Sequence, residues 1–199
     1  MSYEHIQVAA REGVLTIALD RPDVLNSLNA RMAAELVEAL RAGAFDDAVR
    51  CVRLTANGRA FCAGQDLADV LPAADRPAPD LGEVVSRQYT PIVLAIRTME
   101  KPVVCAVNGV AAGAGANIAF ACDIVIAAED ASFIQSFSRI GLIPDSGGTF
   151  LLPRLVGLQR AAALVMLGDR LEASRAREWG LVYEVVPLAV LGDTSFEIS

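Results

Sequence analysis

Short apolar runs broken by glycine, proline or charged residues set the rhythm of this chain. Ile6 to Ala10 and Val14 to Leu19 are two such runs with Arg-Glu-Gly between them, the pattern of a β-hairpin, and Asp20-Arg21-Pro22 ends the second strand. Asn29 is placed to cap a helix with Met32, Leu36, Val37 and Leu40 on one face, closed by Gly43. Cys51 to Thr55 reads as a buried strand. The proline-rich segment Leu71 to Asp80 reads as a loop inside a domain, and a helix is expected from about Leu81 to Met99. Val103 to Val107 then forms a strand, a glycine-rich turn leads into a helix at Ala114 to Ala121, and Ile124 to Ala128 is the next strand. Helical patterns follow over Gly148 to Leu155, Leu158 to Leu167 and Ala173 to Trp179, with a short strand at Tyr183 to Val186. The alternation is that of an α/β fold. Residues 1–187 make its core, and 188–199 are expected to form a short irregular tail.

A chain of 199 residues suits one domain with a sizeable core. Its 54% hydrophobic content and mean hydropathy of +0.42 point to a nearly all-buried parallel sheet or a buried interface, so self-association is expected. The net charge of −7 disfavours nonspecific binding to nucleic acid or to an anionic membrane. Cys51, Cys62, Cys105 and Cys122 have no CxxC spacing and read as buried, reduced thiols, with no metal site expected. The N-terminus shows no export signal, which implies a cytoplasmic location. Val103 to Cys122 carries no charge over a length that could cross a bilayer. Its two asparagines, three glycines and many alanines fit packing inside a soluble core instead.

The chain has one histidine, His5, so any Ser-His or Cys-His chemistry would depend on it. Asp145, in the turn Gly141-Leu-Ile-Pro-Asp-Ser-Gly-Gly148, is the better candidate for acid–base work. Its plainer role would be to cap the helix that includes Phe150 to Leu155. Two small-residue turns, Arg59 to Leu67 and Asn108 to Asn117, each follow a strand and could aim backbone N–H groups at one anionic oxygen. Neither matches GxxxxGK[ST] or GxGxxG, which disfavours ordinary nucleotide cradles. Taken singly, the glycines also fit close helix–strand packing, and Gln65 with Asp66 fits a polar loop.

Together these segments carry a resemblance. Asp20 to Leu28, Ala60 to Leu67 (Ala-Phe-Cys-Ala-Gly-Gln-Asp-Leu), Lys101 to Gly115, Cys122 to Ala127 and Gly141 to Thr149 stand in the order seen in the crotonase, or enoyl-CoA hydratase/isomerase, superfamily. The resemblance spans about Ile6 to Pro187. It implies a spiral of strand–strand–helix repeats with a perpendicular sheet, and an acyl-CoA thioester as substrate. No separate cofactor is implied, coenzyme A being part of the substrate. By motif position, the backbone N–H groups of Gln65 and Ala114 correspond to the pair that holds a thioester enolate. Val24, Ala63, Gln65, Asp66 and Leu67 correspond to the CoA-binding positions, and Arg21 is a plausible further contact.

Hydratases of the family carry two glutamates at positions that here are Asn117 and Phe137. Neither residue can do acid–base work on water, so hydration (a lyase activity) is the alternative and isomerisation the expectation. Asp145 stands where isomerases of the family keep their proton-shuttling carboxylate. The stretches Pro77 to Gly82 and Gly141 to Arg154 narrow the resemblance to isomerases of phenylacetate breakdown, which turn a ring epoxide into an oxepin and shift enoyl double bonds. An apolar pocket of Phe137, Ile140, Leu142 and Ile143 is expected to raise the Asp145 pKa. Family members continue past Glu184 to Pro187 into helices that cap the acyl site and build trimers or hexamers. This chain is expected to lack most of that region, which keeps open a non-enzymatic alternative: a catalytically impaired acyl-CoA-binding remnant or interaction subunit.

Overall fold

The computed structural model describes residues 3–70 and 79–199. In chain order the elements are β1 (Ile6–Arg11), β2 (Val14–Leu19), α1 (Ala30–Phe45), β3 (Cys51–Ala56), β4 (Ala60–Cys62), α2 (Leu67–Val70), α3 (Leu81–Val84), α4 (Thr90–Arg97), β5 (Val103–Val107), β6 (Val110–Ala112), α5 (Ala114–Ala121), β7 (Ile124–Ala128), β8 (Ser132–Ile134), α6 (Gly148–Val156), α7 (Leu158–Leu167), β9 (Arg170–Glu172), α8 (Ala173–Glu178), β10 (Glu184–Val186) and α9 (Leu188–Ile198). Of the loop expected over Leu71 to Asp80, residues 71–78 lie outside the described residues, as do Pro77 and Ala78 of the Pro77 to Gly82 motif.

Among the described residues the strands form two sheets. One runs β1-β2-β3-β5-β7-β10, and the other β4-β6-β8-β9. The first opens with the expected hairpin, Ile6 opposite Leu19, and continues as a parallel sheet. Every residue of β5 is buried, as befits a parallel strand covered on both faces. In the second sheet the stubs β4, β6 and β8 directly follow β3, β5 and β7, so each of these repeats supplies a longer strand and then a short one, and β9 joins from after α7. These stubs fall in the two small-residue turns and at Ser132 and Arg170, where three residues are too few to show a period.

Asn29 caps α1 as expected, its side-chain oxygen accepting from Met32 N at 2.8 Å. Gly43 does not close that helix, which runs on to Phe45. The glycine is there for packing: a Cβ on it would stand 2.6 Å from a Leu15 methyl. The helix expected over Leu81 to Met99 is α3 and α4 joined by a π-helical turn, Val85–Tyr89, and it ends at Arg97. The Val103 to Cys122 stretch is two strands and α5, all eight residues of which are buried. No helix among the described residues is long and apolar enough to cross a membrane.

The tail expected to be irregular is instead α9, which packs against β5 and β7. Arg53 Nη1 on β3 donates to Gly192 O at 2.7 Å and to Ser195 Oγ at 3.3 Å, and the guanidinium lies over the Phe196 ring. Gly192, Thr194 and Ser195 are weak helix formers, so docking outweighs propensity here. All four cysteines are buried free thiols, as expected.

Candidate active site

The loop after β2 and the turn after β4 are laced together by main-chain bonds. Ala63 N donates to Leu25 O at 3.0 Å, Leu28 N to Gly64 O at 2.7 Å, and Asp66 N to Leu28 O at 2.9 Å. Leu25 and Asn26 both have φ of 54°, a left-handed pair that reverses the loop. The fully buried Asn26 side chain holds the reversal by donating to Asn57 O and Ala60 O, both at 2.8 Å, and accepting from Arg21 N at 2.7 Å. Val24, Ala63, Gln65 and Asp66 are therefore brought into one region, with Leu67 exposed at the start of α2. Arg21 is not a free cation for a ligand. Its guanidinium is 2.9 Å from the Asp66 carboxylate and donates to Ser27 O at 2.6 Å.

The turn after β4 meets the N-terminus of α5. Gly64 has φ of +91°, and a Cβ there would lie 2.9 Å from Ala112 O and 3.8 Å from Ala114 N. Gly113, at φ +53°, turns the chain into α5, so Ala114 is the first residue of that helix and its N–H has no acceptor within it. A Cβ on Gly115 would be 2.5 Å from Cys62 O. Gly64 and Gly115 thus allow the two turns the close approach that brings the Gln65 and Ala114 segments together, and Gly113 supplies the bend between them. Burial pushes the Cys62 thiol up to about 12, which removes it as a nucleophile at neutral pH.

Gln65, Tyr89 and Asp145 line one cavity of about 410 Å³, walled by apolar side chains that include Leu81, Val85 and Leu142. Ala114 is not among its lining residues; it borders Gly64 instead. Asp145 is not the helix cap that its position suggested. The residue preceding α6 is Gly147, and no side chain caps that end. The Asp145 carboxylate accepts from Ser146 Oγ at 2.9 Å instead. Burial raises its pKa above the usual carboxylate value of 3.8, while the Ser146 bond opposes the rise. The apolar wall differs from the one expected. Leu142 and Ile143 line the cavity, whereas Ile140 is 66% exposed and the Phe137 ring lies under Gly113.

Tyr89 was not visible as a site residue in the sequence. It is fully buried, and its hydroxyl donates to Gln65 Oε1. Burial, followed by the nearby Asp145 charge, pushes its pKa far up, so it stays a protonated donor. The π turn that ends at Tyr89 adds a residue to one turn and so shifts the face that Tyr89 presents. Asn117 and Gln135 also belong to the site's frame: Gln135 Nε2 donates to Asn117 Oδ1 at 2.9 Å, and Asn117 Nδ2 donates to the Asp145 main-chain oxygen at 3.0 Å. His5 sits at the start of β1, where its main-chain N–H donates to Glu35 on α1.

The family model described as enoyl-CoA hydratase/isomerase matches residues 9–199. The chain belongs to that family. It is 50% identical over 196 residues to the 1,2-epoxyphenylacetyl-CoA isomerase of Escherichia coli K12, covering 98% of this chain and 75% of that protein. It is 47% identical over 197 residues to a Rhodobacter capsulatus protein named a probable enoyl-CoA hydratase, covering 99% of this chain and 72% of that one. A crystal structure of an enoyl-CoA hydratase from Bacillus anthracis superposes with a TM-score of 0.91 at 36% identity, covering 98% of this chain and 75% of the other. The α/β fold is thus the crotonase fold, and the chain is an enzyme of the enoyl-CoA hydratase/isomerase type. Isomerase and hydratase names both stand close to it, so the chemistry must be argued from Asp145, Asn117 and Phe137.

Proposed function

We propose that this protein is an acyl-CoA isomerase in which Asp145 shuttles a proton while the N–H groups of Gln65 and Ala114 hold the thioester oxygen. The observation that carries this reading is the pairing of Asp145, in an apolar cavity with Gln65, with an Asn117 already committed to hydrogen bonds inside the fold. An isomerase needs one group that takes a proton from carbon and returns it elsewhere. A half-buried carboxylate with a raised pKa suits that task, since its acid and base forms lie closer in energy at working pH. The charge that leaves with the carbon's electrons collects on the thioester oxygen, and two backbone donors there are worth about 10²–10³ in rate each by analogy with other oxyanion sites.

Coenzyme A would lie along Val24, Ala63, Asp66 and Leu67, and the acyl group would enter the cavity of Asp145. The apolar walls suit an aromatic or aliphatic acyl chain; the E. coli relative's name suggests a ring epoxide, and the R. capsulatus relative's name an enoyl thioester. Self-association belongs to the same proposal, because Phe150 on α6 and Leu158 and Met166 on α7 are exposed. The test is a turnover panel of ring-epoxide, straight-chain enoyl and dienoyl CoA thioesters read by absorbance and mass. Isomerisation leaves mass unchanged, and hydration adds one water. Asp145→Asn is expected to abolish turnover while acyl-CoA affinity stays close to wild type. Turnover near wild type in that variant, or a product heavier by water, would overturn the proposal.

A further inference from the structure

Asn117 is the one polar side chain on α5, and it is completely buried. A primary amide in such a place destabilises the fold unless its donors and acceptor are paired. Its oxygen accepts from Gln135, itself 2% exposed, and its nitrogen donates to the Asp145 carbonyl. The same helix begins with Ala114, three residues earlier, whose N–H belongs to the proposed oxyanion pair. Asn117 therefore ties the main chain carrying Asp145 to the helix carrying that donor.

The tie falls at a reversal of the backbone. Ser146 has φ of +49° and Gly147 of +78°, two left-handed residues in succession directly after Asp145. Gly148 N donates to Asp145 O at 2.8 Å, the same oxygen that Asn117 reaches. The first turn of α6 is also seated on Asn117, since a Cβ on Gly148 would lie 2.4 Å from Asn117 Nδ2.

We infer that Asn117, oriented by Gln135, is a positioning residue that fixes the distance between the Asp145 carboxylate and the thioester-oxygen site. This rests on Asp145 being the proton shuttle. The amide touches the Asp145 carbonyl and not its carboxylate, so it acts through the main chain. A base displaced by about 1 Å from the carbon it deprotonates loses up to about 10²-fold in rate, with binding of the distant CoA moiety unaffected.

The experiment uses the whole chain and compares Asn117→Leu, Asn117→Asp and Gln135→Met with Asp145→Asn on an acyl-CoA that the wild type turns over. Asn117→Leu should lower kcat by about 10²-fold with KM little changed, and Gln135→Met, which leaves Asn117 in place, should lower it less. Asn117→Asp supplies a readout that mere loss of packing would not move. A neutral Asp at 117 can donate to the Asp145 carbonyl and an ionised one cannot, so its kcat relative to Asn117→Leu should rise as pH falls. If Asn117→Leu does not fold, Gln135→Met and the Asn117→Asp pH profile, taken relative to wild type, carry the test. Wild-type kcat in the folded Asn117 and Gln135 variants with Asp145→Asn inactive overturns this inference alone. Turnover in Asp145→Asn overturns the proton-shuttle reading itself.

Discussion

Ser146 Oγ donates to Asp145 Oδ1 at 2.9 Å, from a serine whose own backbone is held at φ +49°. The bond occupies one carboxylate oxygen from within the turn and stabilises the ionised form against the burial that disfavours it. Ser146→Ala removes that support, so the Asp145 pKa should rise further. In the proposed mechanism an ionised Asp145 accepts the first proton, so the acid limb of the kcat/KM profile should move to higher pH. An unchanged limb would mean that the limb reports another group.

Asp145 should also cost the fold something at neutral pH. Its folded-state pKa lies above the ordinary value of 3.8, so between the two pKa values the folded chain holds a proton that the unfolded chain has lost. Stability falls as pH rises through that window, and the penalty is complete above the folded-state pKa. Asp145→Asn should therefore be more stable than wild type at neutral pH, with the gain fading as pH drops and absent below 3.8. Urea unfolding of the two proteins across that range measures it.

Tyr89→Phe keeps the ring and removes the hydroxyl that donates to Gln65 Oε1. The loss of this bond should lower stability by about 1 kcal/mol. It should also reduce kcat, because the Gln65 side chain anchors the turn whose N–H is proposed to hold the thioester oxygen. Adding Gln65→Leu to Tyr89→Phe should then cost less than the sum of the two single changes, a non-additivity that a double-mutant cycle on kcat detects.

Gly115→Ala tests the close approach of α5 to β4. The new methyl would meet Cys62 O at 2.5 Å and Cys62 Cβ at 2.6 Å, so the helix must shift outward. A loss of about 1–3 kcal/mol in stability is expected from such overpacking. Turnover should fall more than the folded fraction does, because the shift moves Ala114 N–H. Calorimetry alongside turnover per folded molecule separates the two effects.

Much of this could be read from residue patterns. The β1–β2 hairpin, β5, α5, β7 and α7 were legible because their apolar runs have the length and period of the elements they form. Asp145 was legible as a candidate because the resemblance puts it where isomerases of the family keep a carboxylate, while Asn117 and Phe137 stand where hydratases keep theirs. Its role as a cap was not upheld, since Ser146 and Gly147 turn left-handed and carry the helix start past it. Tyr89 was hidden because the π turn breaks the 3.6-residue period on which a helical face is counted. Gln135 was hidden because its partner, Asn117, is distant in sequence and only the fold joins them. The α9 helix was hidden because it depends on Arg53, far away on β3.

The contact between Gly148 and Asn117 bears on how this family can change its chemistry. A glutamate at 117 would be one methylene longer than the asparagine, and it would reach toward a helix turn already close enough to exclude a single methyl group. The other hydratase position holds Phe137, whose ring fills the space under Gly113. A glutamate placed at 117 alone would press on the first turn of α6, and one at 137 would leave space beneath the turn into α5. A two-carboxylate site in this chain would therefore require the first turn of α6 and the turn into α5 to repack together with the new side chains.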